Sequence, residues 1–410
     1  MNRLTALVAA LAALSSAAVA QTTVQTVADR MAAENAPLGV RAGSFLVIPQ
    51  VDLDVRTDDN IYATTNDTRT DIITSVRPRI QASSNWSRHA LNGVVQVESQ
   101  KYMHHGDEDQ QNLRAALDGR IDVMRDTSIG GGVSYSRDHE DRGDPDALGA
   151  TQKPTAYATT VGKVGIYRGL GKVNARLDTE MRHIDYSNGY TSAGAVVNNN
   201  VRDRNEYAQT LRVGYQFDPR FEAFVKGVMD NRVYDNKTGS NRSNRGQSVV
   251  VGSTFDLSGK TTGEVFVGSI SRNYSNPAQK DTNAAGWGGQ VTWNATDLTS
   301  VVGSITRGIE ETTLSNSSGN LATNYDVRVE HALTRKVLLK AATGMTQSHY
   351  VGTTGTQRKD DTWVAGVGAD YWLGRCLKAG LSYDYTNRNS NITGGDYSRN
   401  AVMLKLTATY

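Results

Sequence analysis

Asn400-Ala401-Val402-Met403-Leu404-Lys405-Leu406-Thr407-Ala408-Thr409-Tyr410 ends the chain, and its reading decides the fold. Successive side chains of a strand point to opposite faces. Val402, Leu404, Leu406, Ala408 and Tyr410 therefore share one side, and Met403, Lys405, Thr407 and Thr409 the other. A strand with one apolar face that stops on an aromatic is what the last strand of a transmembrane barrel presents to lipid. The five residues of that face are the expected assembly signal, read by the outer-membrane barrel assembly machinery. The opposite end agrees: Arg3 gives a positive start, residues 4–14 an apolar run, and Ala18-Val19-Ala20 a small-residue cleavage site. Residues 1–20 thus read as a secretory signal peptide, residues 21–45 as a periplasmic N-terminal tail, and residues 46–410 as a barrel in the outer membrane of a Gram-negative bacterium.

Composition fits an exported all-β chain. Only 38% of the 410 residues are hydrophobic, and beyond the signal no stretch reaches the roughly 18 apolar residues that a membrane helix needs. With 39 Gly and 18 Tyr against 7 Pro, the chain is rich in strand and turn formers. Lys plus Arg (44) nearly cancel Asp plus Glu (42), which removes a global electrostatic case for nucleic acid. The single cysteine, Cys376, excludes an intramolecular disulfide and reads as a bystander near a turn.

From Leu46 onward about eighteen segments of alternating polarity are joined by connections that are alternately short and long. The short ones fall at 85–88, 125–126, 169–171, 218–219, 257–259, 296–298, 334–336 and 373–375. The long ones, rich in Asn, Asp, Gly, Ser and Thr, fall at 58–69, 142–153, 188–203, 236–244, 276–281, 314–320 and 353–358. The rhythm predicts a transmembrane antiparallel up-and-down β-barrel with short periplasmic turns and longer extracellular loops, both termini being periplasmic. A repeat of about 40 residues is also the spacing of propeller blades, but each interval holds two long strands where a blade needs four short ones. Pro78, inside the second strand, predicts a bulge, since a closed barrel has no free edge for a residue lacking an N–H. Tyr102, Tyr135, Tyr186, Tyr234, Tyr274, Tyr350 and Tyr385 precede polar loops and read as an interfacial aromatic girdle.

A charge on the lipid face near the midplane costs roughly 2–4 kcal/mol for Arg or Lys, so strand charges are expected in the lumen. The candidate pore-lining residues are Arg77, Arg79, Arg114, Asp118, Arg120, Asp122, Arg176, Asp178, Glu180, Arg182, Arg212, Glu222, Lys226, Asp230, Asp326, Arg328, Glu330, Asp370, Trp372 and Asp384. Cations and acids balance in that set once Asp52, Asp54, Glu98, Lys340, Lys378, Lys405 and Arg232 are added, which predicts weak ion selectivity or cross-lumen ion pairs. Trp372 could stack on a sugar ring or simply pack in the wall. Asp138, Glu140, Asp141, Asp144 and Asp146 crowd one loop without the spacing of a calcium loop, and Arg142-Gly143-Asp144 is an adhesion tripeptide by composition only. His104, His105 and Asp107 have no partner set for catalysis. The chain is expected to be no enzyme and to need no metal and no cofactor.

Pro37-Leu38-Gly39-Val40-Arg41-Ala42-Gly43-Ser44-Phe45-Leu46-Val47-Ile48-Pro49, followed by Asp58-Asp59-Asn60-Ile61-Tyr62-Ala63-Thr64, resembles the opening of the outer-membrane β-barrel porin family of type 2. The resemblance implies a single-domain conduit without catalytic residues. Because some members accompany exopolysaccharide or capsule assembly, it also implies polysaccharide export and a partnership with export machinery, besides outer-membrane lipid and lipopolysaccharide. A general diffusion porin for small solutes and a structural or adhesive surface barrel are the alternatives. A long loop folded into the lumen, for which residues 188–203 are the longest candidate, would favour the diffusion porin.

Overall fold

A computed structural model of the chain describes residues 24–147, 151–236, 241–314, 316–352 and 357–410; the signal-peptide reading lies outside them. Eighteen long strands run in chain order: β1 Phe45–Asp58, β2 Asp71–Ser84, β3 Ala90–Tyr102, β4 Gln110–Met124, β5 Thr127–His139, β6 Ala156–Leu170, β7 Val173–Tyr186, β8 Arg204–Asp218, β9 Phe221–Tyr234, β10 Asn244–Leu257, β11 Thr261–Tyr274, β12 Thr282–Thr296, β13 Thr299–Glu310, β14 Ser317–Thr334, β15 Val337–Gly352, β16 Lys359–Trp372, β17 Leu377–Ser390 and β18 Tyr397–Thr409. Each pairs antiparallel with the next, and β18 closes on β1 with Leu406 opposite Leu53. Closure leaves no open sheet edge, the only way a β structure can satisfy its backbone in lipid. Followed once round, the registers return to β1 about 22 residues further on, which tilts the strands by about 40° and sets a backbone radius of about 17 Å.

The sequence alternation becomes two walls. Leu53, Val133, Val249 and Leu404 are exposed on the outside, where lipid belongs, while Asp52 and Asp54 on the other face of β1 are buried. Below the end of β18, where Tyr410 N donates to Pro49 O, a short strand Val40–Ala42 turns back beside Phe45–Val47. It covers the part of β1 that β18 does not reach. Gly43, at φ +59°, makes that two-residue turn.

Two expectations are corrected. Pro78 causes no bulge: the β2–β3 ladder lapses at Arg77 and Pro78 and resumes in the same register, from Val76 opposite Ser99 to Arg79 opposite Gln96. Nor do the seven tyrosines form a girdle. Only Tyr135 and Tyr385 share parity with the outward apolar residues of their strands. Tyr234, Tyr274 and Tyr350 are buried inside, and Tyr102 and Tyr186 share their inward parity. Outward aromatics such as Tyr207, Trp293, Trp363 and Tyr371 occupy the lipid side instead.

The tail contains a helix, α1 Val27–Glu34, capped by Thr26 in a reciprocal pair with Asp29. It lies inside the barrel at the short-turn end. Val27 and Met31 pack on inward Ala332, Leu338 and Trp372. Its first free N–H groups find acceptors on the wall: Val27 N donates to Ser300 Oγ at 2.7 Å and Ala28 N to Glu330 at 3.1 Å.

Candidate functional site

The lumen wall is built from side chains of one parity, and ion pairing dominates it. Arg77 lies against Asp54 and bonds Glu98 at 3.1 Å, while Lys405 and Thr407 hold Asp52 at 3.0 and 2.7 Å. Pairs two residues apart on one strand share the face: Arg120 with Asp122 (2.9 Å), Arg176 with Asp178 (2.6 Å), Arg182 with Glu180 (2.9 Å) and Arg328 with Glu330 (2.9 Å). Other pairs cross strands. Arg212 meets Glu222 at 2.6 Å, Asp230 meets Arg272 at 2.9 Å, and Lys340 meets Asp370 at 2.9 Å with Lys378 at 3.7 Å. Lys226 lies over the Phe266 ring at 4.6 Å.

The remaining candidates have polar or no charged partners among the described residues. Arg79 bonds Gln81, Asp118 accepts from Asn92, and Ser382 donates to Asp384 at 3.4 Å. One Asp326 oxygen is buried with no hydrogen-bond partner, and Arg114 is exposed. Trp372 is inward but only 7% exposed beneath α1, with Lys378 over its ring at 5.4 Å. Its wall-packing role is the one the structure places, and a sugar-stacking role is corrected on that ground.

At the long-loop end the lumen is crossed. The connection from β5 to β6, described over residues 140–147 and 151–155, reaches toward β17 and β18 through its first part, where Arg388 donates to Gly143 O and Arg399 lies 3.7 Å from Asp141. A β-carbon on Gly143 would meet Ala63 at 3.0 Å and the Tyr397 hydroxyl at 3.2 Å, so only glycine passes there without displacing a neighbour. The loop then meets residues 311–314 beyond β13, seven to eight strands round the barrel from its roots. Asp146 accepts from Thr312 Oγ1 at 2.6 Å and from Thr313 N at 2.9 Å. Arg142 pairs with Glu108, and Glu140 with Arg202, whose guanidinium stacks on Tyr186 at 3.9 Å. Asp146 is half-buried, and desolvation there holds its carboxyl above its ordinary value.

The acidic loop residues are therefore dispersed among separate partners, and no group of metal-ligating residues occurs among the described residues. Residues 188–203 do not make the crossing. They carry the small hairpin of Gly189–Tyr190 with Val196–Val197 and the 3-10 turn Asn200–Arg202, which brings Arg202 to Glu140. His104 and His105 also have a structural partner: both donate backbone N–H groups to the buried carboxylate of Asp71, whose oxygens lie 3.1 and 2.7 Å from their Nδ1 atoms.

A third set, which sequence reading left scattered, gathers at the same end. Arg204, Arg232 and Arg272 from β8, β9 and β11 converge on Glu311 of the 311–314 segment. Arg232 pairs with its carboxylate, Arg272 lies 4.0 Å away, and Tyr234 Oη donates to it at 2.9 Å. Burial alone would raise the pKa of Glu311, yet the three guanidinium groups hold it below the ordinary value. The only sequence signal for this cluster was the shared parity of the three arginines.

The chain is similar in fold to several solved structures at low sequence identity. Acinetobacter baumannii OccAB3 matches at 10% identity and TM-score 0.49, over 90% of this chain and 100% of that one. Pseudomonas aeruginosa OpdO matches at 10% identity and TM-score 0.45, over 90% and 97%. The siderophore receptor PirA from Pseudomonas aeruginosa matches at 7% identity and TM-score 0.46, over 89% and 80%. No curated protein matches the chain in sequence. The profile of one family, described as putative beta-barrel porin 2, matches residues 11–410. With nearly its whole length covered by that profile and its strands closed into an eighteen-stranded barrel, the chain belongs to the beta-barrel porin 2 family.

Proposed function

We propose that this outer-membrane barrel is a diffusion channel for small polar solutes, in preference to a conduit for polymeric glycan. The observation that carries the reading is the crossing of the lumen by residues 140–147, tied to the far wall through Asp146, Thr312 and Thr313. Helix α1 narrows the other end. A polysaccharide needs a continuous bore wide enough for a hydrated chain. Two obstructions in series favour solutes that fit between a polar loop and a paired wall. The wall pairs also cancel charge locally, which supports weak selectivity between simple ions.

Liposome swelling with uncharged sugars of graded size tests this. Pentoses and hexoses are expected to enter readily and tetrasaccharides at least tenfold more slowly. Equal rates across the series would overturn the reading in favour of a glycan conduit. Deletion of the gene is correspondingly expected to slow uptake of small solutes and leave surface polysaccharide unchanged.

A further inference from the structure

Glu311 is a loop residue whose carboxylate occupies a pocket made by the wall. Arg204, Arg232 and Arg272 supply three guanidinium groups, with side-chain exposures of 13%, 18% and 6%. Two wall carboxylates touch them: Glu206 lies 2.7 Å from Arg204, and Asp230 lies 2.9 Å from Arg272 and 3.6 Å from Arg232. Arg182, the next cation on the same wall, is matched by its own Glu180. The third carboxylate in contact with the trio is Glu311, and it comes from the loop. Taking it away leaves three guanidinium groups with two carboxylates in contact, in a place where little water reaches them.

The remaining polar groups at this position suit an oxyanion. Tyr234 Oη donates to one Glu311 oxygen and Asn244 Nδ2 to the other at 3.0 Å, so each oxygen has a donor besides the guanidinium groups. Tyr274 Oη and Arg272 Nε are buried without hydrogen-bond partners, which leaves donor capacity unused at the same spot. The loop is held by separable contacts. Arg242 gathers the carbonyls of Thr312 (2.6 Å), Thr313 (3.2 Å) and Leu314 (2.8 Å), and Asp146 takes Thr312 Oγ1.

We propose that Arg204, Arg232 and Arg272, with Tyr234, Tyr274 and Asn244, form a binding site for the carboxylate of a small organic acid, and that Glu311 is its tethered occupant. A carboxylate on a short tether competes at high effective concentration. An incoming acid therefore gains the site only by displacing the loop, which opens the crossing at its far anchor. Planar guanidinium groups suit this exchange because they recognise carboxylate geometry in the loop and in the solute alike. The site rests on the channel reading for its purpose, but its occupancy does not require conduction.

Calorimetric titration of the purified full-length barrel with succinate tests it, with uncharged succinamide as the control. Glu311→Gln is expected to bind succinate at least tenfold more tightly than the wild type, with succinamide unaffected. Glu311→Gln combined with Arg272→Gln is expected to lose that gain, whereas Arg272→Lys in the same background keeps part of it. Heat-modifiable migration identifies the folded barrels. Unchanged succinate affinity in folded Glu311→Gln, or equal gains for succinate and succinamide, would overturn the site. A barrel that binds succinate yet conducts nothing would overturn the channel reading instead.

Discussion

Asp146 sits where a loop from one wall meets a segment from the opposite wall, so its protonation bears on whether the mouth is closed. Burial raises its pKa from 3.8, Asp144 adds to that, and hydrogen bonds from Thr312 and Thr313 together with Arg202 oppose it. The seated loop thus favours the protonated carboxyl. That contribution to closure is full below the ordinary value and is lost as pH rises through the raised one. Glu311 has the opposite sign: its contribution is present above its ordinary 4.5 and is lost only as pH falls through a lower value. Conductance is therefore expected to fall as pH drops from neutral toward the ordinary carboxylate range, and Asp146→Asn is expected to weaken that response. A wild-type conductance that rises on acidification would contradict this assignment.

Single residues also show what sequence could reveal. Alternation was enough to put Leu404 outside and Asp52 inside, because lipid and water impose opposite requirements on the two faces. Leu404→Arg is expected to destabilise the folded barrel by roughly 2–4 kcal/mol, read from its denaturant midpoint. For the tyrosines, parity outweighs their place near the ends of strands. Tyr234 and Tyr274 share the face of Asp230 and Arg272, and that settles where they point.

At the scale of elements, the strands were legible and the pieces folded inside them were not. Val24, Val27 and Met31 have helical spacing, but nothing in the tail names Ala332, Leu338 and Trp372, some 300 residues away, as the surface that α1 covers. Removing residues 24–36 is expected to leave a heat-modifiable barrel with a red-shifted tryptophan emission as Trp372 meets water, and with a larger conductance. An unshifted spectrum would place α1 elsewhere. For the last strand, deletion of residues 406–410 is expected to leave exported but unassembled chain, because Gln50, Val51, Asp52 and Leu53 of β1 would then lose their partners on β18. Normal amounts of assembled barrel would refute that role. The crossing loop was hidden for a similar reason: by composition residues 188–203 make a longer loop than residues 142–153, whereas inward folding depends on Gly143 fitting beside Tyr397 and on Asp146 reaching Thr312.

For the whole molecule, strand number and closure followed from a rhythm that runs from β1 to the final residue, since every strand must satisfy the same two solvents. What passes through the barrel depends on contacts between distant loops, and no local pattern encodes those. Central to the proposed channel is the crossing by residues 140–147, which sets the width of the passage. Its most direct test is single-channel conductance in planar bilayers, comparing the full-length protein with a variant in which residues 141–154 are replaced by a short Gly-Asn-Gly turn between the paired ends His139 and Ala156. A small wild-type conductance that rises several-fold in the variant is expected; equal conductances in two folded barrels would show that the loop does not set the passage.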